Sequence, residues 1–307
     1  MEERFSVSSA PHIRAKESTS VLMLDVITAL APCFIAGVFL FGWSAARVVL
    51  LSVVFCVLLE YLCQKLTKQP IRINDLSAIV TGMILGLSLP PTAPWWMILV
   101  GCAVAIVLVK QLFGGIGDNF INPALTARAV LLASWPARMA AAAYVNPFDA
   151  VTTATPLAYG AADYPLFELL LGRVPGSIGE VSKLAILIGL AYLLLRKTIS
   201  WHIPVTLTAS FMLFTWLFGG DPVRGALTGS VLFGAVFMAT DYVTSPMTRK
   251  GKLVYAAGAG LIIALIRAVG SYPEGTTYGI LLMNVATPLI DRVTKRRIYG
   301  EVKTSHE

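Results

Sequence analysis

The sequence predicts an all-α integral membrane protein with about ten membrane-crossing or half-crossing helices, and three observations carry that expectation. Of 307 residues, 56% are hydrophobic and only 13% are charged, whereas a soluble domain carries roughly 25% charged residues. Long apolar runs recur at residues 21–42, 45–62, 95–109, 184–195, 203–218 and 253–266. A helix needs about 20 mostly apolar residues to cross a bilayer, so these runs qualify or nearly qualify. The basic residues, finally, gather at the ends of the runs rather than along one face.

That last point excludes a function class. A net charge of +7 and a pI near 9.3 would suit a nucleic-acid binder. Basic residues at helix ends instead mark loops that face the cytoplasm, so the expected partner is the lipid bilayer and not nucleic acid. With the N-terminus inside, the inner loops hold Lys65, Lys68, Arg72, Lys110, Arg196, Lys197, Arg249, Lys250, Lys252 and the basic run after residue 291. The outer side holds only Arg47, Arg138, Arg173, Lys183, Arg224 and Arg267. Both termini are therefore expected in the cytoplasm, with the chain in the inner membrane.

Taken in order, residues 1–20 form a polar cytoplasmic tail with no cleavage site before the first apolar run, which is expected to stay as an anchor. A first repeat, 21–135, holds segments at 21–42, 45–65, 76–89, 95–112 and 122–135. A polar loop, 136–180, follows on the outer face. A second repeat, 181–291, holds segments at 181–197, 201–218, 223–240, 252–269 and 277–291, and 292–307 form a second cytoplasmic tail. The third segment ends at Pro90-Pro91 and the fifth opens at Pro123. Short segments bounded by proline are those of broken helices that line an internal site.

The halves resemble each other. Val80-Thr81-Gly82-Met83 matches Leu227-Thr228-Gly229-Ser230, and Asn122-Pro123-Ala124-Leu125 matches the stretch from Asn284 to Leu289. Five segments are an odd number, so the second half enters the membrane upside down. Inverted repeats place their sites near the midplane, at the repeat interface.

Two stretches carry candidate chemistry. Gly114-Gly115-Ile116-Gly117-Asp118-Asn119-Phe120-Ile121-Asn122-Pro123 forms a glycine-rich turn that opens a helix containing Thr126 and Arg128. Asn at the cap and Pro at the first helical position are start signals, and the free N–H groups there suit an anion or a polar heterocycle. An arginine inside a membrane segment must be paired or reach a polar cavity. The plain alternative is a re-entrant turn with capping asparagines. The second stretch, Asp149-Ala150-Val151-Thr152-Thr153-Ala154-Thr155-Pro156-Leu157, lies in the outer loop and by itself reads as a capped turn. Asp25, Glu60 and Asp241 lie in or beside apolar segments and are functional candidates for that reason. Cys33, Cys56, Cys63 and Cys102 form no paired spacing and read as small packing residues, so no metal site is expected.

Together, Gly-Gly-x-Gly-x-Asn-Phe-x-Asn-Pro-Ala-Leu-x-x-Arg and Asp-x-x-Thr-x-Ala-Thr-Pro-Leu resemble the RnfD/NqrB family of ion-translocating electron-transfer complexes. Thr-Pro-Leu-Ala, without a long N-terminal extension, is closer to RnfD. The resemblance implies FMN joined through its phosphate to Thr155, with Asp149 and Thr152 in the same motif and Thr153 where the family has glycine. It implies a second flavin, riboflavin, near Asn119 and Asn122; Thr126, Arg128 and Asp241 are further cofactor-binding candidates, Asp241 for ion coupling or flavin contact. Side-chain amides suit the flavin pyrimidine edge, which both donates and accepts.

Expected partners are the other subunits of an Rnf-type complex, including a second flavoprotein subunit and iron–sulfur subunits, and a flavin transferase for maturation. Such a complex moves electrons between ferredoxin and NAD and couples this to Na+ or H+ movement. The flavins do the redox chemistry, so no catalytic residue is expected in this chain. A solute channel of urea-transporter-like architecture is the competing reading, since fold alone does not decide function.

Overall fold

The computed structural model describes residues 18–139, 164–270 and 274–295. Among them the chain is all helix and turn, with thirteen α-helices and no strand. Helix α1 (Thr19–Phe41) starts at Ser18, whose side chain accepts from the Val21 N–H. Gly42, at φ +67°, turns the chain into α2 (Trp43–Leu66). These two helices and α12 (Arg249–Val269) are each long and apolar enough to cross a membrane. Helices α3 (Ser77–Leu87) and α5 (Pro123–Ser134) are half-length, in keeping with their bounding prolines. Between them α4 (Trp95–Ala103) runs on into a π-helical stretch, Val104–Gln111.

Two short helices follow, α6 (Pro136–Met139) and α7 (Leu166–Leu171). Then come α8 (Lys183–Leu195) and α9 (His202–Leu217). The expected continuous segment at 223–240 is broken in two: α10 (Pro222–Leu227), and α11 (Val231–Phe233), which runs on into a π stretch, Gly234–Met238. Thr228 is extended and Gly229 has φ +64°, which frees backbone carbonyls inside the bundle. Arg267 donates to the carbonyls of Gly225 and Thr228, and Lys183 to that of Gly229. Charged side chains thus satisfy a break that lipid could not. Helix α13 (Thr276–Thr294) closes the described chain.

Helices α2 and α3 lie almost backbone to backbone. A Cβ on Gly82 would sit 2.7 Å from Val53 Cα, and one on Gly86 2.9 Å from Val49 Cα. Small residues allow this approach where packing has to replace the hydrophobic effect. The halves interlock: α1 packs on α8, and α5 on α13. One apolar core runs through both, from Leu30 and Leu85 to Phe211 and Ile263.

The span 136–180 does not all lie outside this bundle. Ser177, Ile178, Gly179 and Glu180 are buried. The Gly179 N–H donates to Leu87 O at 2.8 Å and the Ile178 N–H to Leu89 O at 3.3 Å. The returning chain therefore satisfies carbonyls that the short α3 leaves open at its end.

Candidate functional site

Both π stretches border one cavity, through Lys110 and through Val236 and Phe237. The N–H of Leu112 bonds to Val107 O, and that of Ala239 to Gly234 O, each five residues back. Wide turns of this kind recur at functional sites. Between them lies a cavity of about 780 Å³ of space, part of it open to the outside; apolar clefts with a few polar groups are the usual form of small-molecule sites. Its walls are mainly apolar, with Met23, Val80, Ile84, Leu193 and Phe237 among them. Polar groups enter at a few points: Thr81, Lys110, Asn119, Asn122, Asp241 and Tyr242.

The glycine-rich turn places the asparagines. Gly114, Gly115 and Gly117 have φ of +116°, +104° and +100°, values that side-chain-bearing residues rarely adopt. Asn122 then caps α5: its Oδ1 accepts from the Leu125 N–H at 3.1 Å. Its Nδ2 donates to Met238 O at 3.2 Å, so one residue ties the start of α5 to the π stretch of the other half. Asn119 is buried, and its Nδ2 donates to Ile121 O at 3.3 Å. Its Oδ1 has no protein partner among the described residues.

Asp241 completes the wall. It accepts from the Val243 N–H at 3.4 Å and the Thr244 hydroxyl at 3.1 Å. Burial pushes its carboxyl above the usual carboxylate range, against those two bonds. The structure thus brings Asn119, Asn122 and Asp241 together. It does not bring Thr126 or Arg128 with them. The Thr126 hydroxyl returns to Asn122 O at 2.8 Å. Arg128, six residues beyond Asn122 and so about 9 Å further along the helix, belongs to a separate cluster. Its guanidinium pairs with Glu180 and with Glu274 at 2.5 Å and lies 3.5 Å from Ser177 Oγ. Ser230 donates to Glu274 at 2.7 Å. The intramembrane arginine is therefore paired rather than aimed at a ligand.

Asp25 is paired as well, with Arg196 at 3.1 Å, and it accepts from Thr198 and Tyr192. Asp149, Thr152 and Thr155 lie outside the described residues. Sequence reasoning passes over Lys110, Ser77, Glu180 and Glu274 as site residues. Lys110 and Glu60 sit near the C-terminal ends of parallel neighbours, as the matched pairs Ser52–Cys102 and Glu60–Lys110 show, and that matched depth is the available signal. For Glu180 and Glu274 the signal is Arg128 itself, which requires carboxylates somewhere.

The chain matches the model of the "NQR2, RnfD, RnfE family" over residues 6–300. It is 51% identical to the D subunit of the Na(+)-translocating ferredoxin:NAD(+) oxidoreductase complex of Acetobacterium woodii, over all of this chain and 98% of that protein. It is 42% identical to the D subunit of the proton-translocating ferredoxin:NAD(+) oxidoreductase complex of Clostridium ljungdahlii, over 96% of each. Against the D subunit of the ion-translocating oxidoreductase complex of Halorhodospira halophila it is 38% identical, over 96% of this chain and 95% of that one. End-to-end likeness of this extent, on top of the glycine–asparagine motif at the cavity, shows that the chain belongs to the NQR2, RnfD, RnfE family as a multi-pass membrane protein of RnfD type.

Proposed function

We propose that the chain is the D subunit of an ion-translocating ferredoxin:NAD+ oxidoreductase and carries electrons within it on two flavins, with FMN on Thr155 and riboflavin in the cavity. The observation that carries the cavity assignment is the meeting of Asn119, Asn122 and Asp241 in a mainly apolar wall between two π stretches. The fit is chemical. A planar, uncharged heterocycle with one polar edge needs apolar faces and a few amide or carboxyl partners, and Asn119 Oδ1 is available as an acceptor. Riboflavin would contribute electron acceptance and release when bound. The side chains position it, exclude water and meet its polar edge.

Assignment of FMN to Thr155 is supported by the Asp149–Leu157 motif. The basic residues support cytoplasmic termini and an outer position for Thr155. The relatives differ in the ion in their names, Na+ for one and protons for another, so the ion is left open. The channel reading gains nothing from the bundle: charged groups of Arg128, Glu180 and Glu274 fill its interior beyond the cavity.

The test is denaturing gel electrophoresis of chain made in its native host or beside a flavin transferase. In-gel flavin fluorescence is expected for the wild type and absent for Thr155→Ala. A dark wild-type band, with the transferase active on another substrate, overturns the covalent assignment. Riboflavin in the supernatant of denatured wild-type chain, and its loss in Asn119→Ala, tests the cavity separately.

A further inference from the structure

Two cavities share one wall, and the wall is charged. Ser77, Lys110 and Ile116 border the apolar cavity on one side. On the other side lies a polar cavity of about 540 Å³, bordered by Glu60, Gln64, Arg72, Asp75, Gln111 and again Ile116. It is partly open to the outside. Lys110 is 3% exposed and Glu60 1%.

From Lys110 two hydrogen-bonded routes lead to the polar cavity. One is direct: Lys110 Nζ donates to Glu60 Oε2 at 2.9 Å. The other passes through a hydroxyl: Nζ lies 2.5 Å from Ser77 Oγ, which donates to Asp75 Oδ1 at 2.6 Å. Gln111 and Gln64 hold Glu60 Oε1 from the cavity side, at 2.9 and 3.3 Å. Other ionisable groups facing the pair are Asp75, Cys56 and Cys63, with Arg72 at the cavity rim. Packing gives no reason for charge here, because a well-packed apolar pair in place of a buried ion pair is often neutral or stabilising. Lys110 is also the one cation in the apolar cavity's wall among the described residues.

We propose that Lys110 supplies protons to the ligand of the apolar cavity and is recharged from the polar cavity through Glu60 and through Ser77–Asp75. The inference rests on the flavin reading of that cavity. When an electron reaches the ligand from the preceding carrier of the complex, a proton leaves Lys110 Nζ for the ligand's polar edge. Glu60 or Asp75 takes a proton from water and returns it to Nζ. One electron and one proton arrive together, so the cavity gains no net charge once Nζ is recharged, and only N–H and O–H bonds are exchanged.

The experiment uses the purified whole complex, stopped-flow reduction, a pH-indicating dye, and riboflavin quantified after denaturation. Glu60→Gln and the double variant Glu60→Gln/Asp75→Asn keep the shape of the wall. The double variant is expected to retain its riboflavin and to take up protons about a hundredfold more slowly, at the low end of what positioned acid–base groups contribute. Added imidazole, a small proton carrier, is expected to restore part of the rate. The single variant, which leaves the Ser77–Asp75 route, is expected to slow less, and serves alone where the double variant does not assemble. Wild-type proton uptake in a flavin-loaded variant overturns the relay. So does loss of riboflavin from Glu60→Gln, which would make the pair a binding support. Absence of riboflavin from the wild-type complex overturns the cavity assignment underneath it.

Discussion

Arg128 and Lys110 are both buried cations held by carboxylates, and their surroundings differ. Arg128 is enclosed by Glu180, Glu274, Ser177 and the core, and neither cavity described above reaches it. Lys110 has one cavity on its own side and another behind its partner. The Arg128 cluster joins α5, the chain returning before α8, and the chain before α13. It acts as a lock between the halves. The Lys110 pair joins α2 to the π stretch after α4 and leaves both faces reachable. The same chemistry is structural where nothing has access to it and available for exchange where something does.

The largest expected effect comes from breaking the lock. Arg128→Met strands the Glu180 and Glu274 carboxylates and should cost about 3–5 kcal/mol, read as loss of folded chain in detergent melts. A wild-type melt would remove the distinction between the two clusters. Glu180→Gln leaves Arg128 with Glu274 and should cost about 1–3 kcal/mol, the penalty for an incompletely satisfied buried group. Glu60→Gln sharpens the contrast: the amide still offers Lys110 Nζ an acceptor and itself faces the polar cavity, so it should cost about 1 kcal/mol in the same melt.

At the cavity, Asn122→Ala removes a helix cap, worth about 1 kcal/mol, and should also release riboflavin. Asn119→Ala should release riboflavin and cost about 1 kcal/mol, through loss of its bond to Ile121 O. The smallest effect concerns Asp241. A carboxyl raised in the folded state holds its proton more tightly than in the unfolded chain. Its contribution to stability is therefore fullest in acid and is lost as pH climbs from the unfolded value, about 3.9, through the folded one. Asp241→Asn should flatten the stability–pH curve over that rise, measured by melts at stepped pH.

Much of this is legible in the sequence. Residues such as Pro90, Pro91 and Pro123 announce the short helices, because proline both ends and starts them. Asn122-Pro123 announces the cap, and the glycines before it announce the turn. The break at Thr228–Gly229 is hidden, since its stabilisers, Lys183 and Arg267, are remote in sequence and look like outer-loop charges. Thr126 and Arg128 group with the asparagines in sequence because they share a helix. A helix advances 1.5 Å and turns about 100° per residue, so neighbours in sequence can face different environments. Lys110 looks like a loop charge because hydropathy marks where a segment ends and not what its last turn faces.

The two π stretches bear on how this protein can change over evolutionary time. A π turn is an α-helix carrying one residue more than its hydrogen bonding requires. Deleting any single residue from Val104–Gln111 or Gly234–Met238 would restore regular winding and remove the residue that the wide turn makes room for. The cavity wall would close up there with no side chain altered in kind. These stretches should therefore tolerate exchange of one apolar residue for another far better than a change in length, and the spacing from Val104 to Asn122 is a stricter constraint than the letters between them.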